Sequence, residues 1–167
     1  MNDDGIQNQN QSIDGANSEP ELRTLQLLQA GSFRFGIFAD EIAAIAAWRE
    51  PTPLPLAPKS VLGVVNIQGR MLTVLDLGML PGCEEASTDA AAQLFVALRG
   101  DEQLAIAVDG LGETIELADG CLETRQETKQ TLFLGVLNRE GTDLYILNPK
   151  ELFPTAIQGR ERRRRRF

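Results

Sequence analysis

Leu62-Gly-Val-Val-Asn-Ile-Gln-Gly-Arg-Met-Leu-Thr-Val-Leu-Asp76 is the stretch on which the fold turns. Two runs of β-branched and aliphatic residues, Val61 to Ile67 and Met71 to Leu77, are split by Gln68-Gly69. That pattern predicts a tight β-hairpin. The same pattern returns 72 residues later as Leu134-Gly-Val-Leu-Asn-Arg-Glu-Gly-Thr-Asp-Leu-Tyr-Ile-Leu-Asn148, identical at seven of fifteen positions. Aliphatic matches alone would mean little, because all strands share Val, Leu and Ile. Gly63/Gly135, Asn66/Asn138 and Gly69/Gly141 recur in one order, and that indicates a duplication.

The echo extends upstream. Leu25 to Asp40 parallels Leu94 to Asp109 at an offset of 69, with Gly31 on Gly100, Ile37 on Ile106 and Asp40 on Asp109. Each half therefore reads as strand, turn, strand, irregular segment and hairpin. Leu22 to Gln29 and Phe33 to Phe38 form the opening pair around Gly31-Ser32. The alanines of Asp40 to Arg49 favour helix, but the repeat places a turn at Asp40-Glu41 with a strand after it, and the repeat decides. Pro51, Pro53, Pro55 and Pro58 enforce extended backbone and read as a stiff surface connector. Pro81 to Gln93 joins the halves, and Ala118 to Thr131 reads as a surface loop with some helix. Pro149 opens a short helix through Phe153.

Composition bounds the rest. Of 167 residues 43% are apolar but only 5% aromatic, so Val, Leu, Ile and Ala must fill the core. A barrel of about 60 residues buries too little surface to stand alone, so the halves are expected to pack as one unit. Residues 1–20 lack the apolar content to offset chain entropy and read as a disordered tail. Residues 21–156 form the folded unit, and 157–167 a second tail. No signal segment or membrane-length apolar run is present, and the two cysteines lack a CxxC pattern, so a cytoplasmic location with reduced thiols is expected.

The sequence excludes most chemistry. There is no histidine, which removes Ser–His and Cys–His nucleophile pairs. Cys83 and Cys121 without histidine make a poor zinc site, and no metal or cofactor is expected. No phosphate-binding GxxxxGK[ST] loop occurs, and Gly110-Leu-Gly112 lacks the third glycine of a dinucleotide fingerprint. Asp76 and Asp109 each end a strand, where carboxylates cap turns more readily than they act as an acid–base pair. The reading is a binding module, not an enzyme.

Val61-Leu-Gly-Val-Val-Asn-Ile-Gln-Gly-Arg70, Thr73-Val-Leu-Asp-Leu77 and Leu104-Ala-Ile-Ala-Val-Asp-Gly110 together resemble CheW-like domains, the coupling proteins of bacterial chemotaxis arrays. The resemblance covers roughly Leu22 to Phe153. It implies a mainly β fold of two pseudo-symmetric five-stranded SH3-like barrels, intertwined as one unit with short helices and joined near 81–93. It also implies a non-catalytic adaptor that couples a methyl-accepting chemoreceptor tip to the regulatory domain of a histidine kinase, with other CheW-like domains as further partners. Carried over by position, Ile42, Gly63, Gln68 and Leu94 fall where the family faces the receptor. Ala44 and Ile45 fall near its kinase-facing end.

Two positions depart from the family pattern. Gln68 stands where an arginine is usual, and Ala44 where an acid is common. Arg70 is a candidate for supplying the missing charge, and regular strand pairing would put it on one face with Gln68. The last stretch, Arg160, Arg162, Arg163, Arg164, Arg165 and Arg166, leaves the remaining body with 10 basic and 23 acidic residues, a net of −13. Such a tail opens an alternative: a small-barrel module tethered to nucleic acid or an anionic membrane through charge. The acidic body itself argues against nucleic-acid binding.

Overall fold

The computed structural model describes residues 19–86, 92–118, 120–122 and 132–157. Ten strands run in chain order: β1 (Leu22–Ala30), β2 (Phe33–Phe38), β3 (Ile42–Ala47), β4 (Val61–Ile67), β5 (Arg70–Leu75), β6 (Leu94–Leu98), β7 (Leu104–Val108), β8 (Gly110–Ala118), β9 (Phe133–Arg139) and β10 (Thr142–Leu147). The duplication holds to the residue in its later part. Moving β4, β5 and the 3-10 turn Leu77–Met79 by 72 positions gives β9, β10 and the 3-10 turn Pro149–Glu151. Asp40-Glu41 forms a 3-10 turn and a strand follows it, as the repeat requires against the helix propensity of the alanines. Pro149 opens a 3-10 turn that continues as a short α-helix over residues 152–157, α1.

The strands form two five-stranded sheets, ordered β8-β1-β2-β10-β9 and β3-β6-β7-β5-β4. Neither sheet is one half of the chain. The first takes β1 and β2 from the first half and β8 to β10 from the second; the other takes the complement. Each half crosses between sheets once, at Ala39–Glu41 after β2 and at Asp109 after β7. Strands of different halves meet in the antiparallel pairs β1–β8 and β3–β6 and in the parallel pairs β2–β10 and β5–β7. A half alone would leave both of its sheets incomplete, so the halves fold together.

Strand periodicity builds three apolar layers. On β7, buried at every residue, Leu104, Ile106 and Val108 join the central layer, while Ala105 and Ala107 face the interior of the second sheet. On β2, Phe33, Phe35 and Ile37 enter the central layer. Phe38 instead joins Leu25, Leu144 and Ile146 inside the first sheet. A one-residue slip would exchange these layers wholesale, which pins the register. Leu152 and Ala156 of α1 also enter the central layer and tie the C-terminal turn to both sheets.

The proline segment is more than a surface connector. Pro51 is buried, and Thr52 exchanges both backbone hydrogen bonds with Val64 on β4, at 2.9 and 2.8 Å. Cys83 lies in the central layer, and burial, helped by neighbouring Glu84, pushes its thiol up to about 12. A neutral buried thiol is unreactive. The expected tails and the loop through Thr131 fall mostly outside the described residues, as does the whole arginine run.

Candidate protein-interaction surfaces

The β4–β5 hairpin closes with Gln68 and Gly69 at φ 52° and 81°, flanked by the Ile67–Arg70 pair. Two consecutive positive φ values in a two-residue loop define a type I′ turn, which matches the strand twist. Asn66 secures it by accepting a 3.0 Å hydrogen bond from the Gly69 N–H through Oδ1. Gln68 and Arg70 are both exposed at the tip. The same-face expectation for this pair does not hold, because Gln68 sits in the left-handed turn, where strand alternation has stopped.

Gly63 has φ 146°, and a Cβ there would lie 2.3 Å from the Thr52 carbonyl oxygen. Its immediate structural task is therefore to admit the Thr52 bridge onto β4. Ile42 and Leu94 are partly buried and pack against the central layer. Ile42 also accepts a hydrogen bond from Arg99 Nε through its carbonyl, at 3.2 Å.

The five expected receptor-facing residues divide into two groups. Ile42 and Leu94 lie towards opposite ends of the β3–β6 ladder, where Ile42 pairs with Leu98 and Leu94 with Ala47. Gly63, Gln68 and Arg70 lie on the hairpin at the far edge of the same sheet, separated from that ladder by β7. Of the kinase-facing pair, Ala44 packs against the interior of the second sheet, whereas Ile45 is 40% exposed. Sequence reasoning missed Trp48. It follows β3, is 37% exposed, and sets its ring 4.8 Å from that of buried Phe95. The signal was available, since it is the chain's single tryptophan at the end of a strand.

Two concavities lie elsewhere. An apolar groove of about 480 Å³ runs between the proline segment and α1. A more polar pocket of about 490 Å³ is lined by Phe33, Tyr145, Arg34, Glu84, Glu85 and Asp143, among others. None of the seven expected partner-facing residues lines either one. Of the two strand-end carboxylates, Asp76 caps its own turn as expected, whereas Asp109 serves the distant turn between β1 and β2. Asp76 accepts from the Gly78 N–H at 2.9 Å, and Asp109 accepts from the Gly31 N–H at 2.5 Å. Among the described residues, no helix is long and apolar enough to cross a membrane.

Comparison with known proteins agrees with this architecture. The profile described as CheW-like domain matches residues 25–156. The chemotaxis protein CheW of Rhizobium meliloti (strain 1021) is 24% identical over 137 residues, covering 80% of this chain and 88% of its own. A probable chemotaxis protein CheW of Rhizobium etli is 24% identical over 110 residues, covering 66% and 71%. The crystal structure of the scaffolding protein TtCheW from Thermoanaerobacter tengcongensis aligns with a TM-score of 0.70 at 16% identity, over 82% of this chain and 91% of that one. With the profile spanning most of its length and its fold aligning with that of a solved relative, the chain belongs to the CheW-like domain family.

Proposed function

We propose that this chain is a non-catalytic cytoplasmic adaptor of chemotaxis type, which couples a chemoreceptor tip to the regulatory domain of a histidine kinase. Family membership supports the adaptor class. The observation that carries the kinase half is the outer surface of β3. There Ile45 exposes a large apolar side chain on an edge strand whose sequence, Ile42-Ala-Ala-Ile-Ala-Ala47, holds no charge, while Trp48, just past the strand, sets its ring against Phe95 of the sheet interior. Natural edge strands are usually protected by charge or proline. An unprotected one carrying an exposed isoleucine suits a surface that is covered in the working assembly.

The receptor half rests on Gln68 and Arg70 at the hairpin tip, with Gly63 on the same hairpin and Ile42 and Leu94 on the separate β3–β6 ladder. The kinase half takes Ala44 beneath Ile45. Binding at β3 would be mainly apolar, since Ala44 cannot supply the acid common in the family. The arginines of residues 160–166 are proposed as an accessory polyanion-binding element, not as the main function.

The test is reconstitution with partners from the same cell. The chain is mixed with the kinase regulatory domain and with a receptor cytoplasmic hairpin, separately and together, and binding is followed by calorimetry and co-sedimentation. A ternary complex is the expected result. Binding to neither partner would show the adaptor's fold without its usual role.

A further inference from the structure

The more polar pocket joins aromatic surface and charge on one fixed frame. Phe33 and Tyr145 line it with ring centroids 5.5 Å apart, and Phe133 packs on Tyr145 at 5.2 Å. Glu84 and Glu85 reach it from the 3-10 turn Glu84–Ala86, in the connector between the halves. That turn is tied to the aromatic side twice. Cys83 and Ala86 share the central layer with Phe33, and Ser32 donates its N–H and its hydroxyl to the Glu85 carbonyl, at 3.1 and 3.3 Å. Asp143 of β10 adds a third carboxylate, and Arg34 of β2 the single guanidinium.

We propose that this pocket receives an arginine side chain of a partner protein, as a docking site separate from the β3 edge and the β4–β5 tip. Charge sets the sign of the occupant. Three carboxylates and one guanidinium, −3 and +1, give the lining a formal charge of −2, and the whole chain at −8 draws the same kind of partner. Glu84 and Glu85 enter neither the Arg23–Asp40 nor the Arg139–Glu113 ion pair. Size and shape set the chemistry. A volume of about 490 Å³ suits an organic group, and no three carboxylate or thiol side chains among the described residues are arranged to hold a metal ion. A guanidinium is flat enough to lie over an aromatic ring while its forked donors reach carboxylates, and this lining offers both. That the cation belongs to a protein rests on the adaptor reading; the preference of the pocket for a guanidinium does not.

The test needs neither receptor nor kinase, so its outcome is independent of theirs. The blocked tripeptide acetyl-Gly-Arg-Gly-amide is titrated into the full chain, and the amide resonances of Ser32, Gly82 and Glu85 are followed. Saturable shifts are expected, weaker binding for the lysine peptide, and none for the citrulline peptide, which keeps the shape without the charge. Glu84→Gln with Glu85→Gln retains an acceptor for the Gly82 N–H that Glu84 now holds at 3.2 Å, and should weaken binding by about tenfold. Tyr145→Leu should weaken it by roughly fivefold. Arg34→Gln removes a like charge and should strengthen it, whereas a site for an anion or a zwitterion would lose affinity. Glu113→Gln with Glu116→Gln, on β8, should change nothing. The proposal is overturned by a peptide that gives no saturable shift, by citrulline binding as well as arginine, or by weaker binding in Arg34→Gln. An equal loss in the β8 variant overturns it too, since the attraction would then be general. Binding seen only once the arginines of residues 160–166 are replaced by glutamine would give the pocket to the chain's own arginines and overturn the assignment to a partner.

Discussion

The two halves carry the same letters at matched positions and use them differently. Asp40 and Asp109 occupy equivalent places at the two crossings between sheets. At the first crossing Asp40 pairs with Arg23 at 3.1 Å, and the guanidinium also lies 3.6 Å over the Phe38 ring. Both side chains of that pair are well exposed, at 36% and 67%. At the second crossing Asp109 reaches back to a backbone N–H, that of Gly31, in a partly buried setting. The glycines diverge too. Gly63 and Gly135 are matched, but the left-handed φ belongs to Gly63 alone, because only β4 receives the Thr52 bridge among the described residues. Duplication preserved the backbone plan, and neighbours then assigned each copy its own work.

The largest effect is expected where that divergence is steric. Gly63→Ala forces a Cβ against a carbonyl oxygen at a φ that L residues avoid. A loss of about 2–4 kcal/mol is expected from strain and displacement of the bridge. Gly135→Ala, lacking the positive φ, should cost clearly less. Denaturant titration of both variants decides the matter, and equal losses would mean that the Thr52 bridge is not the cause.

The crossings come next. Asp109→Ala leaves the Gly31 N–H without its acceptor and should cost about 1–3 kcal/mol. Asp40→Ala removes an exposed ion pair and should cost no more than about 1 kcal/mol. The same titrations report both, and a larger loss at Asp40 would invert the assignment of the two aspartates.

How much of this was legible in the sequence follows from what periodicity encodes. A period of two and matched glycines mark strands and their turns, so the repeated hairpins and the opening strand pair could be read from the letters. It does not say which strand is the neighbour. The exchange of strands between halves is therefore invisible to internal comparison, and within this chain only the coordinates reveal it. The strand at β3 was legible solely through the repeat, since its alanines locally prefer helix. Thr52's bridge was hidden because prolines signal extended backbone without naming a pairing partner. The Gln68–Arg70 inference failed because alternation was carried through a turn whose φ reverses it. Glu41 was equally unreadable. Its Oε2 is buried without a partner, and burial first, then Asp40, raises its carboxyl above the ordinary range.

The outer strands sharpen the comparison at the level of binding. β3 is uncharged and exposes Ile45, whereas β8, at the edge of the other sheet, carries Glu113 and Glu116, with Glu113 paired to Arg139 on β9. If β3 is the kinase-facing edge, Ile45→Asp should weaken binding to the kinase regulatory domain by at least ~1–2 kcal/mol. Glu116→Ala on β8 should leave it within error. Unchanged affinity for a folded Ile45→Asp chain would remove this residue from the interface.

The smallest effect concerns the two hairpin tips, whose backbone turns match closely. Gln68-Gly69 has φ values of 52° and 81°, and Glu140-Gly141 has 52° and 78°. An arginine placed at either tip therefore meets the same local geometry, and any difference in its effect must come from what the tip faces. A neutral amide at residue 68 cannot steer an acidic partner or form a forked ion pair, and an arginine can do both. If the β4–β5 tip contacts the receptor, Gln68→Arg should strengthen binding by roughly 0.5–1.5 kcal/mol, a range set by the exposure of the site. Glu140→Arg should not change receptor affinity. Arg70→Ala completes the set, because Arg70 begins β5 beside the turn and already offers a guanidinium to the same partner. Titrating all three variants against receptor hairpins from the same cell separates the outcomes. A strong loss in Arg70→Ala with little gain in Gln68→Arg means that the charge has moved two residues along the hairpin. Equal gains at both tips would mean that the arginine acts through general attraction to an acidic partner, and the β4–β5 tip would lose its claim to the receptor.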